Sequence, residues 1–529
     1  MTMDLGPVGR NRPAGSLSIA DMPVYPTTMW DLLEQRAAAT PSQVLLDDDT
    51  GRTMTALQWR DAALTLAAAL YARGITRDTP VSWQLPTVHE SAVLLLALAR
   101  LGAVQNPILH ILRRQEVGFI VGQTSARLLI TSNVWRNFDY AAMARDVASE
   151  HGCETLVIER GIMPAGDPTN LPRPPDGVGD PVRFIYYSSG TTAEPKGARH
   201  TDLSVMASAN ALIVLYDANE VIAIAFPYTH IGGVCQTVNS IYTGARMVFF
   251  ESFDPVQSPL VMAAHGTTNL GSAVPFFLAF IKAQHEHGRE ALFPNLRWFV
   301  SGGAPKPPDL YYEMKALFGV PILSNWGLTE FPIATISVPD DLDQDLAHAE
   351  GRALPNIELK IVDAEGAIVA PAEAGELLVK GPQMFKGYVD ASLNDVAFDG
   401  DGFFRTGDIG IVGPRGHVQI TGRIKDIIIR NAENLSALEI EAALYSHPNV
   451  ADVAVIGVPD PLTGERAMAV IVLAAGVQTL TLNELADHCQ DQQLASQKFP
   501  ERLEIVDQLP RNSMGKVLKQ DLRRRFAGG

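Results

Sequence analysis

Strand patterns alternate with helix patterns along much of the chain, and this alternation is the strongest constraint on its fold. Apolar side chains recur at helical spacing over Trp30–Ala38, Leu57–Ala72 and Ser91–Leu101. Short apolar strand patterns stand at Val81–Leu85, Arg127–Thr131, Leu156–Ile158, Arg183–Tyr187, Ala223–Ala225, Met247–Phe250 and Trp298–Ser301. Such an order predicts an α/β fold with helices on both faces of the sheets.

The pattern of apolar residues and glycine turns changes along the chain, and these changes predict the domain boundaries. The 529 residues are too many for one ordinary core, so we expect two or more domains. Residues 1–24 are predicted to form a flexible lead-in, and residues 25–422 are predicted to form a large N-terminal domain of α/β sheets. Within it, short alternating strands separated by glycine turns predict a small β subdomain over about 351–422. Residues 423–529 predict a small, mobile α+β C-terminal domain.

Short strands and one helix are also predicted in the later part of the chain. Strands are predicted at Glu358–Asp363, Gly375–Lys380, His417–Ile420, Ile427–Arg430 and Val450–Val458, and a helix at Ala437–Tyr445. Ser436 and Glu439 form an S-x-x-E pattern, which is typical of a capping box at a helix start. A linker rich in proline, glycine and aspartate is predicted over 168–181.

Charge and composition exclude several classes of protein. The formal net charge is −17 and no long basic run is present, which argues against a nucleic-acid partner. The apolar runs Ala92–Ala99 and Ala467–Ala475 are too short to span a bilayer. The three cysteines form no C-x-x-C pair, so we expect neither disulfides nor a zinc site, and a cytoplasmic location.

A cluster of small hydroxyl residues follows the predicted strand that ends at Tyr187. It contains Ser188, Ser189, Gly190, Thr191 and Thr192, and a single lysine, Lys196, comes next. Closely spaced backbone N–H groups around a glycine cradle phosphates, and the lysine adds a point charge. The Walker pattern G-x-x-x-x-G-K-[ST] is absent here. The stretch therefore predicts a phosphate-binding loop of another type, and a Ser/Gly-rich surface turn remains the alternative.

Further short motifs follow in a fixed order. They are SGGAP at Ser301–Pro305, NWGLTE at Asn325–Glu330, RTGD at Arg405–Asp408, GRIKD at Gly422–Asp426 and PRNSMGK at Pro510–Lys516. Together with the phosphate loop they make the chain, over roughly residues 25–525, resemble the adenylate-forming (AMP-binding) superfamily of acyl-CoA synthetases, peptide-synthetase adenylation domains and firefly luciferase. Within that superfamily the chain looks like an acyl-CoA synthetase, or fatty-acid–CoA ligase.

The resemblance implies the chemistry and the nucleotide-binding residues. ATP and Mg²⁺ would activate a carboxylic acid as an acyl-AMP with loss of pyrophosphate, before a thiol takes the acyl group. The implied ATP- and AMP-binding residues are Ser188, Ser189, Gly190, Thr191, Thr192, Lys196, Gly302, Gly303, Ala304, Asn325, Trp326, Gly327, Thr329, Asp408, Arg423 and Lys516. Glu330 and Thr191 are the implied metal ligands, since Mg²⁺ takes one or two carboxylates plus phosphate oxygens.

Some of these residues also allow plainer interpretations. Asp408 could be a turn residue, Glu330 an exposed helix start, and Trp326 a part of the core. Lys516, Thr329, Glu330 and His230 are the implied catalytic residues, with Lys516 meeting the charge that develops at the α-phosphate. The resemblance places Lys425 at a hinge about which the C-terminal domain rotates.

The acid and the acceptor are predicted less directly. His230, Gly232, Gly233 and Trp326 are implied to line the acyl pocket, where the two glycines would leave space for the acyl group and would also suit a strand-to-helix turn. No acidic residue stands near Cys235, where amino-acid-activating relatives place one, so the resemblance implies a carboxylic acid without an amine, and we expect a hydrophobic acid. Arg430, Asn431 and Ala432 are implied to line a tunnel for coenzyme A. Relatives often carry glycine there, so two alternatives stay open, namely a stand-alone enzyme that loads a carrier protein and an inactive binding homologue. We expect a monomer or homodimer with a role in fatty acid metabolism.

Overall fold

The computed structural model describes residues 27–526 apart from 189–194, 214, 304–305, 371, 432, 461 and 513–514. The predicted lead-in at 1–24 lies outside the described residues. The chain forms two compact units. The first comprises 1–187, 197–254 and 261–269, and the second comprises 188–196, 255–260 and 270–529. The predicted domain limits at 24 and 422 stay predictions.

Helices and strands alternate up to Ser272, as predicted. The helices are α1 (Met29–Ala39), α2 (Ala56–Ala72), α3 (His89–Leu101), α4 (Arg114–Thr124), α5 (Tyr140–His151), α6 (Asp202–Ile213), α7 (Ile231–Thr243) and α8 (Gln257–Ala264). The strands are β1 (Val44–Asp48), β2 (Thr53–Thr55), β3 (Pro80–Gln84), β4 (Val104–Pro107), β5 (Leu128–Thr131), β6 (Val134–Trp135), β7 (Phe138–Asp139), β8 (Glu154–Val157), β9 (Val182–Ser188), β10 (Lys196–Thr201), β11 (Val221–Ile224), β12 (Arg246–Phe249) and β13 (Asn269–Ser272).

A parallel sheet forms a large part of the first unit. Its strands run in the order β9-β4-β3-β5-β8, and each neighbouring pair is parallel. Every residue of α3 is buried, because this apolar helix lies within the core. A second sheet contains the order β11-β12-β1-β2. The predicted α/β fold is confirmed.

The remaining elements belong to the second unit. The helices are α9 (Val274–His287), α10 (Pro308–Phe318), α11 (Asp343–His348), α12 (Asn394–Ala397), α13 (Ala437–Tyr445), α14 (Leu482–Asp491) and α15 (Lys519–Phe526). The strands are β14 (Trp298–Ser301), β15 (Ile322–Trp326), β16 (Thr335–Ile336), β17 (Arg352–Ala353), β18 (Glu358–Val362), β19 (Gly375–Lys380), β20 (Phe404–Val412), β21 (Val418–Arg423), β22 (Ile427–Arg430), β23 (Glu433–Ser436), β24 (Val450–Asp460), β25 (Gly464–Leu473) and β26 (Arg502–Ile505).

Three sheets organise the second unit. Strands β14 and β15 are parallel, and the short strands β16 and β17 continue from β15 in antiparallel pairs. An antiparallel sheet in the order β18-β19-β20-β21 confirms the strands predicted for the β subdomain. Strands β23-β22-β25-β24 form the last sheet, with β26 beside β25. Ile428, Ile440 and Ile471 belong to the buried core that this sheet shares with α13 and α14.

The predicted capping box of α13 is half present. The Ser436 hydroxyl accepts a hydrogen bond from the backbone N–H of Glu439 at 3.3 Å, as expected for an N-cap. The Glu439 carboxylate binds Lys498 at 2.6 and 2.7 Å, so the reciprocal bond was wrongly predicted. Among the described residues, no helix combines the length and apolarity needed to cross a membrane.

Candidate active site

Asp408 is held by two side chains of the second unit. Strands β20 and β21 pair so that Asp408 lies directly opposite Arg423, whose Nε donates to Asp408 Oδ1. The indole Nε1 of Trp326, at the end of β15, donates to Asp408 Oδ2 at 2.8 Å. Asp408 is 3% exposed and Trp326 6% exposed. Trp326 is therefore buried and hydrogen-bonded, and its predicted contacts with the nucleotide and the acyl group stay predictions. Asp408 lies within a strand and is more than a turn residue.

Glu330 is fixed from a different direction. The hydroxyl of Tyr388 donates to Glu330 Oε1 at 2.7 Å, and the backbone N–H of Phe385 donates to the Glu330 carbonyl at 3.0 Å. Glu330 is 7% exposed and no helix begins there. The alternative of an exposed helix start is wrong, because Leu328 and Phe331 close a turn by backbone hydrogen bonds of 2.9 and 3.2 Å, and the carboxylate is buried. Thr329, beside it, is half-buried.

Lys196 is the residue of the phosphate loop that the structure places most clearly. It begins β10, and its Nζ lies 5.6 Å from the centroid of the Tyr388 ring, within the range of a cation–π interaction. Ser188 ends β9. Ser189, Gly190, Thr191 and Thr192 lie outside the described residues, so the predicted loop and the metal role of Thr191 stay predictions.

The SGGAP motif follows β14 as predicted. A Cβ at Gly302 would lie 2.8 Å from Asn325 Oδ1, so only glycine lets this amide approach the backbone so closely. Gly303 has a left-handed backbone with φ of 79°. Ala304 lies outside the described residues. The first glycine thus serves Asn325, and its predicted contact with adenine stays a prediction.

Lys516 is carried by a tight loop of the C-terminal part. Its backbone N–H donates to Asn512 Oδ1 at 2.9 Å, and Arg511 binds Asp452 at 2.6 and 2.8 Å. A Cβ at Gly515 would lie 3.2 Å from the Ala273 Cβ, which shows how closely this loop packs before α9. The loop that carries Lys516 is therefore docked within the second unit, and its catalytic role stays a prediction.

The charges around Lys516 favour an anionic ligand. Burial, reinforced by the cations Arg423 and Lys425, lowers the pKa of Lys516 to about 7, although Asp408 and Asp426 act in the opposite direction. Burial and Arg423 likewise lower the pKa of Lys425 to about 8. Cations that lower one another's pKa repel each other, and a phosphate group bound between them would offset this repulsion. The hinge role of Lys425, which lies in a 3-10 turn at Ile424–Asp426, stays a prediction.

His230, Gly232 and Gly233 lie in the first unit, at the start of α7. His230 Nδ1 accepts a hydrogen bond from the Gly232 N–H at 3.1 Å, and burial lowers the pKa of His230 to about 4. The histidine is therefore neutral near pH 7. A Cβ at Gly233 would lie 2.0 Å from the Tyr228 carbonyl oxygen. Gly233 is thus required by the turn, and its place in the acyl pocket stays a prediction.

The predicted CoA loop connects β22 and β23. Arg430 binds Glu501 through two hydrogen bonds of 2.8 and 3.0 Å. Asn431 has a φ of 51°, a left-handed backbone that asparagine adopts more readily than most residues. Ala432 lies outside the described residues. The turn thus uses asparagine for a conformation that glycine also favours.

Sequence reasoning missed two features of this part of the chain. Tyr388, which contacts both Lys196 and Glu330, stands in a stretch without periodicity or a charged cluster. Lys306 is buried and donates to Ser324 Oγ at 2.7 Å, and it is an electrostatic partner of Glu350. Burial lowers the pKa of Lys306 and raises that of Glu350, while each charge favours the ionised form of the other. A lysine after SGGAP gave no signal that its charge is buried.

The side chains fit a magnesium ion that is shared with phosphates. Across the described part of the chain, no group of three or more His, Cys, Asp or Glu side chains could hold a metal ion by itself. Glu330 supplies one carboxylate, and Mg²⁺ is commonly bound by one or two carboxylates plus substrate phosphates. The arrangement is therefore compatible with a metal that enters together with ATP.

Comparison with known proteins identifies the family. Residues 33–389 match the model of the AMP-binding enzyme family, and residues 439–516 match the AMP-binding enzyme C-terminal domain. A medium-chain fatty-acid–CoA ligase of Escherichia coli is 28% identical, with 94% of this chain and 90% of the relative covered. A salicyl-AMP ligase / salicyl-S-ArCP synthetase of Mycobacterium tuberculosis is 32% identical, with 87% and 83% covered.

A solved structure supports the same assignment. The o-succinylbenzoate coenzyme A synthetase of Bacillus subtilis, in complex with ATP and a magnesium ion, superposes with a TM-score of 0.81 at 25% identity and covers 93% of this chain and 99% of its own. The predicted resemblance is confirmed by these matches over nearly the whole chain. The chain belongs to the AMP-binding enzymes of the adenylate-forming superfamily, and it is an AMP-forming acid–thiol ligase.

Proposed function

We propose that this enzyme joins a hydrophobic carboxylic acid to coenzyme A in two steps. In the first, a carboxylate oxygen bonds to the α-phosphorus of ATP and the bond to pyrophosphate breaks. In the second, the thiolate of CoA bonds to the acyl carbon and AMP leaves. The observation that carries the proposal is the docked loop that buries Lys516 within electrostatic range of Arg423, Lys425 and Asp408.

The side chains of the second unit fit distinct roles in the first step. Asp408, fixed by Trp326 and Arg423, is suited to accept hydrogen bonds from ribose hydroxyls. Lys516 would stabilise the negative charge that grows on the α-phosphate, since preorganised cations often supply a large part of catalysis. Mg²⁺, held by Glu330 and phosphate oxygens, would neutralise phosphate charge when bound. Lys196 would bind the phosphates that depart.

The nature of the acid follows from what surrounds His230. The neutral imidazole and the buried Cys235 and Val234 of α7 offer no charge to bind a second polar group of a substrate. The two relatives differ in the acid for which they are named, since one is named for fatty acids and the other for salicylate. We therefore propose an apolar aliphatic or aromatic acid.

The proposal is tested by measuring pyrophosphate release with a panel of acids, with and without CoA. An apolar acid should support release that becomes catalytic only when CoA is added. A single burst that CoA does not relieve, but that a phosphopantetheinyl carrier protein does, would favour the carrier-loading alternative suggested by the relative that loads a carrier. If none of the acids in the panel supports pyrophosphate release, the proposed reaction is contradicted.

The CoA acceptor has a separate test at Ala432. If the turn after Arg430 lines the path of the thiol, Ala432→Trp should block the second step and leave acyl-AMP bound after a normal pyrophosphate burst. The matched control is Ile368→Trp, because Ile368 is 74% exposed in the loop between β18 and β19. Wild-type turnover of Ala432→Trp with CoA would show that the acceptor does not pass this turn.

A further inference from the structure

Tyr388 contacts two of the groups that the proposed reaction needs. Its hydroxyl donates to Glu330 Oε1 at 2.7 Å, and the face of its ring lies 5.6 Å from Lys196 Nζ. Tyr388 is 5% exposed. Neither the motifs nor the family matches assign it a role. A single buried side chain thus touches the candidate metal ligand with its polar end and the phosphate lysine with its ring.

The surroundings of Tyr388 fix its position. The Tyr388 N–H donates to Asn394 Oδ1 at 2.8 Å, and its ring packs against Phe385 with the centroids 4.9 Å apart. The N–H of Phe385 in turn donates to the Glu330 carbonyl. The segment from Phe385 to Tyr388 therefore forms hydrogen bonds to both the backbone and the side chain of Glu330. The phenol cannot rotate away from Glu330 without breaking its packing against Phe385.

The Tyr388 hydroxyl is the donor in its contact with Glu330, because a carboxylate oxygen can only accept. Among the described residues, hydrogen bonds to the Glu330 carboxylate come from Tyr388 to Oε1, which leaves Oε2 for another partner.

We propose that Tyr388 is a positioning residue that orients the Glu330 carboxylate for Mg²⁺ while its ring holds Lys196 ready for the phosphates. The inference rests on the proposed use of ATP and Mg²⁺. An outer hydrogen bond that orients a metal ligand commonly changes metal affinity or activity by about 10- to 100-fold. A phenol on one carboxylate oxygen would leave the other available to bind Mg²⁺, and the cation–π contact would keep the charge of Lys196 close without neutralising it.

Two variants separate the two contacts. Tyr388→Phe removes the hydroxyl and keeps the ring over Lys196, whereas Tyr388→Leu removes both. Tyr311→Phe is the matched control, because Tyr311 is equally buried in the second unit and its hydroxyl also donates to a carboxylate, Asp343 Oδ1, at 2.7 Å. Any general effect of losing a buried phenol–carboxylate bond appears in this control as well.

The main measurement is nucleotide binding by calorimetry, so that it does not depend on turnover. Titrations with ATP in EDTA and with ATP at increasing Mg²⁺ give the Mg²⁺ concentration for half-maximal tight binding. Tyr388→Phe should raise that concentration about 10-fold or more and leave ATP affinity in EDTA unchanged. Tyr388→Leu should in addition weaken binding in EDTA several-fold, and Tyr311→Phe should change neither value.

Each other outcome has a definite meaning. A wild-type Mg²⁺ dependence in Tyr388→Phe would overturn the inference, as would an equal shift in Tyr311→Phe. If ATP binds the wild type equally with and without Mg²⁺, the inference fails together with the metal role of Glu330, while pyrophosphate release still tests the adenylation reaction. If Mg²⁺·ATP binding behaves as expected but no acid is activated, the proposed function fails and the role of Tyr388 stands.

Discussion

The β20–β21 hairpin and the turn that carries Glu330 each present a buried carboxylate, yet they hold it differently. Asp408 receives hydrogen bonds on both oxygens, from Trp326 and from Arg423. Among the described residues, Glu330 receives a side-chain hydrogen bond on one oxygen, from Tyr388. The first carboxylate is compensated by a full cation at the opposite strand position, whereas the second is oriented by a neutral donor.

The difference indicates which ligand each carboxylate suits. A carboxylate that is already neutralised by arginine can accept further hydrogen bonds from hydroxyl groups, but it attracts a metal ion weakly. A carboxylate held by a phenol keeps its negative charge and therefore favours a cation. The protein thus distinguishes a proposed sugar site from a proposed metal site by the donors around two chemically similar side chains.

Removing Lys516 is expected to have the largest effect, because its charge interacts electrostatically with both Asp408 and Arg423. Lys516→Ala should reduce the rate of acyl-AMP formation by about 10²- to 10³-fold or more, since a group that stabilises transition-state charge is lost. The rate is followed as pyrophosphate release in a single turnover. Lys498→Ala is the control, because Lys498 binds Glu439 on the surface of the same C-terminal part. A rate within twofold of wild type would contradict the catalytic role.

Trp326→Phe should separate the two carboxylates. The variant keeps an aromatic ring and removes the donor to Asp408, and a hydrogen bond to a charged group contributes roughly 1.5–3 kcal/mol. We expect the KM for ATP to rise about 10-fold or more by that conversion, and the preference for ATP over 2′-deoxy- and 3′-deoxy-ATP to fall. The Mg²⁺ requirement should not change. A shift in Mg²⁺ requirement equal to that in Tyr388→Phe would break the distinction between the two sites.

A smaller effect is expected from pH. Lys516 must be protonated to meet the phosphates, and its pKa in the free enzyme is lowered to about 7 by burial, Arg423 and Lys425. The kcat/KM for ATP should therefore be highest below pH 7 and decline as pH rises above it, by up to tenfold per pH unit. The decline in kcat should begin at a higher pH than the decline in kcat/KM, because bound phosphates raise the pKa of Lys516. Lys516→Arg should flatten the kcat/KM profile, and an unchanged profile would assign the titration to another group.

The sequence predicted the elements well where periodicity determined them. Trp298–Ser301, Gly375–Lys380 and Ala437–Tyr445 have the predicted limits, because apolar spacing and turn residues bound them closely. The close contact of Gly233 with the Tyr228 carbonyl could not be predicted from the sequence, because it is set by the fold of a turn. The link from Trp326 to Asp408 joins residues that are distant in sequence, and no local pattern encodes it.

Chain length between the two strands has a consequence for natural and designed variation. Asp408 and Arg423 face each other because the register of β20 and β21 shifts by one residue between Ile409 and Gly410. A strand shifted by one residue turns every side chain to the opposite face, so an insertion or deletion in the connecting turn at 413–416 that moved this register would separate the pair even if every residue were kept. Homologues that vary in length at this turn, or libraries that randomise it, should therefore lose nucleotide binding before they lose the fold.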